Sequence, residues 1–195
     1  MSKRPRFLAV FLFLSACAGA REMTAPRNLD DACELFRERP AYLNAMRDTE
    51  RRWNLPVPVQ MAIIYAESRF DGDARTPNRF ALGVIPMGRQ SSAFGYSQAL
   101  DGTWEEYQRA TRNRRAERDD IRDATDFIGW YASQSLERNN IQPTDARSLY
   151  LSYHEGQAGF RNGSYRSKPW LLEVANGVAD RATMYDAQLR ACGRR

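Results

Sequence analysis

The chain has 195 residues and a formal net charge of +5, a length that fits one domain with a substantial core. Lys3, Arg4 and Arg6 supply three of those five charges in a leader without acidic residues, leaving +2 on the rest. That is too close to neutral for a nucleic-acid reading to rest on the basic pI. One histidine and three cysteines are too few soft ligands for a zinc site, and the sequence asks for no other metal or cofactor.

The basic residues are followed by the apolar run Phe7 to Ala16. Positive charge followed by a short apolar segment is the pattern of a secretory signal, too short to span a bilayer permanently. Leu14-Ser15-Ala16-Cys17 resembles the lipobox of bacterial lipoproteins. The resemblance implies diacylglycerol on the Cys17 sulfur, cleavage before it and acylation of the new N-terminus. The alternative is an ordinary cleaved signal with an incidental cysteine. Ala18 rather than an aspartate follows, which by analogy with Gram-negative lipoprotein sorting implies an anchor on the periplasmic face of the outer membrane. Residues 1–16 are thus a signal, 17–28 a polar tether from Cys17, and 29–195 the folded domain. Cys33 and Cys192 lie near opposite ends of that domain. An oxidising periplasm permits a disulfide between them, closing a very long loop; two buried free thiols are the alternative.

A first helix is expected over Leu29–Arg39, with Ala32, Leu35 and Phe36 on one face, and a second over Tyr42–Trp53 after Pro40. Asn54 to Pro58 turns the chain into the stretch Pro58–Phe70, apolar on nearly every side from Val59 to Ala66. A helix hydrophobic all round belongs in the middle of a core. It ends on Glu67-Ser68. A carboxylate in apolar surroundings is disfavoured in its charged form, so its pKa rises, and such a group can still donate a proton near neutral pH. From this stretch alone, a helix-end glutamate turning out to water is an equal reading.

The loop 71–93 carries the apolar patch Phe80 to Met87, which suits a flap over a groove or a well-packed surface loop. Asp71 and Asp73 are too few for a calcium loop and read as exposed turn residues. No run of period-two alternation stands out, so strands are few or absent. Helices resume at 101–107, about 119–138, 146–154 and 170–191, where Cys192 continues the apolar stripe and is expected to point inward. Between them, Arg109–Arg118 reads as a solvated linker face. The fold class is all-α, about seven or eight helices around one central apolar helix.

Three separated pieces form a constellation: Glu67-Ser68, Gly95-Tyr96-Ser97-Gln98, and Ser152-Tyr153-His154-Glu155-Gly156. Their order and spacing resemble the soluble-lytic-transglycosylase family of the lysozyme-like superfamily, over roughly Pro58 to Phe160. There a glutamate-serine pair, a Gly-Leu-Met-Gln motif and an Ala-Tyr-Asn-x-Gly motif line one cleft. The resemblance implies a lysozyme-like domain that acts on peptidoglycan glycan strands. It makes Glu67 the catalytic acid and base. Ser68, Gly95, Tyr96, Gln98, Tyr153 and His154 become substrate-side residues, with Tyr153 orienting Glu67 through its phenol. Tyr96 and Ser97 replace leucine and methionine, implying a more polar groove floor, and His154 replaces an asparagine.

Glycosidic cleavage needs a proton for the leaving oxygen and a way to stabilise an oxocarbenium-like centre. No second acidic residue has an obvious claim to the latter. The substrate's own 2-acetamido group would remove the need for one, and attack by its 6-hydroxyl would close a 1,6-anhydro ring. Two other readings stand beside this one: a hydrolytic muramidase of the same fold, and a non-catalytic, lipid-anchored wall-binding protein.

Overall fold

The computed structural model describes residues 23–81 and 85–194, with 79–81 and 85–86 described by their backbone alone. The leader and Cys17, with the lipid anchor expected there, lie outside the described residues. The chain forms α1 (Ala32–Glu38), α2 (Pro40–Trp53), α3 (Val57–Ser68), β1 (Asn78–Ala81), β2 (Ile85–Arg89), α4 (Asp101–Thr111), α5 (Ile121–Asn139), α6 (Ala146–Asn162) and α7 (Pro169–Ala191). A short 3-10 turn, Ser164–Ser167, joins the last two helices. The fold is all-α, as the periodicity predicts.

Local signals set the boundaries. The Asp31 carboxylate accepts the Cys33 and Glu34 N–H groups and caps α1, satisfying donors that the helix cannot. Pro40 and Pro58 occupy first-turn positions, where a missing N–H costs nothing. Asp120 caps α5 in the same way as Asp31 caps α1.

Helix α3 packs against α2, α5, α6 and α7 and buries Val57 through Ile64 without a break. Its one polar residue in that run, Gln60, is fully buried and donates to the carbonyls of Met46 (2.9 Å) and Leu55 (2.7 Å). It thereby ties α3 to α2 and to the loop between them. On the far side of α2, α5 approaches so closely that a Cβ on Gly129 would lie 2.6 Å from Thr49 and Trp53.

Two expectations change here. Residues 23–28 do not stand off as a tether: Pro26 is buried, and the Met23 carbonyl accepts the Gly72 N–H at 2.7 Å. Arg118, expected on a solvated linker face, donates to the carbonyls of Ser92 and Ala99 at 2.9 Å each. Loop carbonyls left without partners by the turn at 92–99 explain why it is drawn in.

Cys33 and Cys192 are joined by a disulfide with Cα atoms 6.4 Å apart, clasping α1 to the end of α7. Cys192 is exposed rather than inward-facing, because α7 has run past the core by that point. Beside the clasp, Arg181 pairs with Asp30 at 2.8 Å and the Tyr185 hydroxyl donates to the Leu29 carbonyl. With the cysteines separated by 159 positions in the sequence, loop-closure entropy sets an upper expectation of about 5 kcal/mol. Reduction should therefore lower the denaturant midpoint of unfolding. Coincident curves for oxidised and reduced protein would show that the bond contributes nothing.

Candidate active site

The site begins where α3 stops. Arg69 and Phe70 follow Ser68 in consecutive left-handed conformations, with φ of 51° and 60°. Bulky residues rarely adopt that region and persist there only when their surroundings hold them. Phe70 is held: it is fully buried and stacks on Tyr42 with centroids 6.2 Å apart. The helix is thus cut off at Ser68, leaving Glu67 in its last turn.

Ser68 turns inward. Its buried hydroxyl lies 2.9 Å from the Tyr96 carbonyl and 3.2 Å from that of Ile64. A hydroxyl has a single proton, and that of Ser68 serves to fasten α3 to the 95–98 turn. Gly95 is likewise a structural requirement. Its φ is +75°, and a Cβ there would lie 2.1 Å from the Arg118 carbonyl oxygen, so the protein's own backbone already requires glycine at this position. Tyr96 is buried and its phenol meets that of Tyr42 at 2.8 Å, while Ser97 is fully buried. Neither makes the groove floor polar, because both side chains point into the core. Gln98 does line the groove, with its amide nitrogen held by the carbonyls of Gly95 (2.8 Å) and Ala74 (3.0 Å).

Helix α6 supplies the other wall. Tyr150 and Tyr153, three residues apart, share one face. The Tyr150 phenol is the one hydrogen-bonded to the Glu67 carboxyl. Tyr153, expected in that role, donates to the Ser97 carbonyl at 2.6 Å, since that carbonyl is closer to hand once Tyr150 has taken the carboxyl. Tyr153 remains beside Glu67, whose charge helps to suppress ionisation of its buried phenol. Burial pushes the Glu67 carboxyl up to about 7, against a smaller downward pull from Tyr150. The three sequence motifs therefore meet in space, through Ser68 to Tyr96 and Tyr153 to Ser97, with Tyr153 also beside Glu67.

Gly156, with φ 76° and ψ 162°, breaks α6 in a conformation essentially reserved for glycine. After the break, the Gln157 amide ties back to α5 through Ser135 (3.0 Å) and also meets Ser152 (3.1 Å). The kink borders a groove of about 240 Å³ lined by Gln98, Thr103, Phe127, Tyr131, Tyr153, His154 and Glu155. His154 stands edge-on to the exposed Trp170, centroids 5.2 Å apart. Glu155 is the only carboxylate in that lining. Its carboxylate is bound by Lys168 (2.6 Å), by His154 Nδ1 (3.0 Å) and by Ser164, which hold its pKa down to about 2.

The hairpin inside the 71–93 loop pairs β1 with β2, Phe80 opposite Pro86 and Ala81 opposite Ile85. Among the described residues no helical Cα comes within 8 Å of either strand, and Met87 is 63% exposed. Among the described residues the hairpin has no close backbone contact with the helices, and nothing in its pairing supports a flap packed over the groove.

The sequence matches the transglycosylase SLT domain over residues 6–192. The chain belongs to that family. No curated protein matches it. Membership places this SLT domain, at the family level, among the lytic transglycosylases that act on peptidoglycan. Tyr150 and Trp170 were not singled out by motif. Tyr150 sits three residues before Tyr153 on one helical face, a signal that an apolar stripe conceals.

Glu67 binds its proton more tightly folded, at about 7, than at its ordinary value of 4.5. The folded state therefore carries the extra proton between those values, and stability falls as pH rises from about 4.5 to about 7. Glu67→Gln removes that penalty. Above pH 7 the variant should be more stable than wild type by up to about 3 kcal/mol, less where water screens the partly exposed carboxyl. The gap should close toward pH 4.5. Urea midpoints at about pH 5 and about pH 8 test this; a variant less stable at the higher pH contradicts it.

Proposed function

We propose that the protein is a peptidoglycan lytic transglycosylase that cleaves the MurNAc–GlcNAc bond and leaves 1,6-anhydroMurNAc ends, with Glu67 as acid and then base. The observation that carries this reading is the opposite setting of two carboxyls, Glu155 in the groove lining and Glu67 beside Tyr153, which lines the same groove. Glu67, desolvated, is raised to about 7, while Glu155, bound by a lysine, is lowered to about 2. Groups whose environments push their pKa values apart take different roles. Glu67 still holds a proton near neutral pH; Glu155 is an ion already engaged by three partners.

In the proposed sequence Glu67 gives its proton to the leaving glycosidic oxygen as the C1–O bond breaks. The substrate's acetamido group stabilises C1, since no free second carboxylate lines the groove. The Glu67 carboxylate then takes the proton of the 6-hydroxyl as that oxygen bonds to C1. The acid is regenerated, and no water is consumed. Tyr150 steadies the carboxylate between the two steps. As part of the same reading, Cys17 carries the lipid anchor and holds the domain at the periplasmic face of the outer membrane.

Digestion of purified sacculi, with the sugar ends identified by mass spectrometry, is the deciding experiment. Anhydro ends are expected from wild type; reducing ends would make it a hydrolytic muramidase, and no release would favour a wall-binding protein. Glu67→Gln should cost about 10²-fold or more in rate, the range for losing one general acid–base group.

The pH profile gives a separate check. Activity should fall as pH rises through the Glu67 pKa of about 7. Tyr150→Phe removes a downward influence on that pKa, so the alkaline limb should move to higher pH. An unmoved limb would show that Tyr150 does not act on Glu67, and a move to lower pH that it acts in the opposite sense.

A further inference from the structure

The groove does not end at His154. Trp170, edge-on to that histidine, is 54% exposed. From Trp170 the same face of α7 continues through Val174, Gly177 and Arg181, at steps of three and four residues. The last three border a second depression of about 350 Å³, whose opposite wall is Tyr65 and Arg69 of α3.

This depression is cationic and aromatic. The Arg181 guanidinium lies 3.4 Å from the Tyr65 ring centroid and that of Arg69 lies 5.2 Å from it. Arg181 is shared with Asp30. Arg69 is exposed, donates to the Tyr65 hydroxyl at 3.2 Å, and has no carboxylate partner among the described residues. Gly177 lies between the walls. Glycine is disfavoured relative to alanine inside a helix, yet a Cβ at 177 would meet nothing within 4 Å. Neither packing nor backbone conformation asks for glycine there. What its missing side chain does is keep the depression open.

We infer that the depression between α3 and α7 is a subsite for the carboxylate-bearing peptide of a glycan strand whose sugars lie in the groove, reached across His154 and Trp170. The occupant's identity rests on reading the groove as a glycan cleft. Guanidinium groups bind carboxylates through paired, charge-assisted hydrogen bonds, and Tyr65 and Val174 offer apolar surface to aliphatic side chains. A flat anionic lipid surface suits this face less well, because Glu173 and Asp180 on α7 are also exposed.

Binding tests this without turnover. Glu67→Gln protein is titrated calorimetrically with a GlcNAc–MurNAc tetrasaccharide carrying its peptides, and with the same tetrasaccharide after an amidase has removed them. The peptide-bearing ligand should bind about tenfold more tightly, the scale of one charge-assisted hydrogen bond. Adding Arg69→Glu, or the helix-compatible Gly177→Met, should abolish that preference and leave the peptide-free Kd unchanged. Circular dichroism confirms that each variant is folded. Equal affinities for the two ligands, or a loss that falls on both alike, would overturn the subsite. So would Trp170 fluorescence showing Arg69-dependent insertion into phosphatidylglycerol vesicles, which would give the surface to a membrane. Failure of both ligands to bind would count against the glycan groove and this subsite together. Absence of anhydro products from wild type, with the binding preference intact, would remove only the proposed reaction.

Discussion

The constraint on which the site depends is that α3 has no solvent face from Val57 to Ile64. Those residues are all buried, so the helix must thread the middle of the domain, and its last turn emerges from the core half-buried. A carboxyl placed there is desolvated without further provision, which is why burial is the leading cause of the raised Glu67 pKa. The same burial explains how two left-handed, non-glycine residues can follow in succession. Phe70 cannot leave αL without leaving the core, and the hydrophobic contact outweighs the local strain. Stability is held in α3 and given up at its end.

The helical frame is legible in the sequence because its signals are redundant. The α7 stripe Leu171, Val178, Ala182, Tyr185 and Leu189 repeats over about five turns, and prolines mark the starts of α2, α3 and α7. The hairpin is not legible, because strands of four and five residues containing glycine and proline show no alternation to read. The site is legible at the level of segments and not of atoms. Motif spacing identifies which three segments converge, and they do. It cannot say how each hydrogen bond is used, since that depends on which partner is nearer once the segments meet. Ser68, Gly95, Tyr96 and Tyr153 all turn their groups toward the protein for that reason.

Tyr96 illustrates how a departure from the family pattern is absorbed. A tyrosine in place of leucine brings a hydroxyl into the core, where an unpaired one is costly. Tyr42 meets it at 2.8 Å with its own phenol and at 79° with its ring. Tyr42 also stacks on Phe70. The substitution is thus linked, through one aromatic residue of α2, to the turn that terminates α3.

His154 stands where the family pattern has asparagine, and its surroundings define what the exchange alters. Its Nδ1 faces the Glu155 carboxylate at 3.0 Å. That carboxylate is ionised, because Lys168 and Ser164 hold its pKa near 2, so it can only accept. Nδ1 must therefore carry the proton toward Glu155. In the neutral ring this makes Nε2 an acceptor. An asparagine amide can both donate and accept; a neutral histidine fixed in this tautomer offers the groove an acceptor alone. Substrate N–H and O–H groups would be favoured opposite it, and carbonyl oxygens disfavoured, unless the ring takes up a second proton. The Glu155–Lys168 pair thereby sets the polarity of the groove wall at His154, while burial governs the carboxyl of Glu67 at the end of α3.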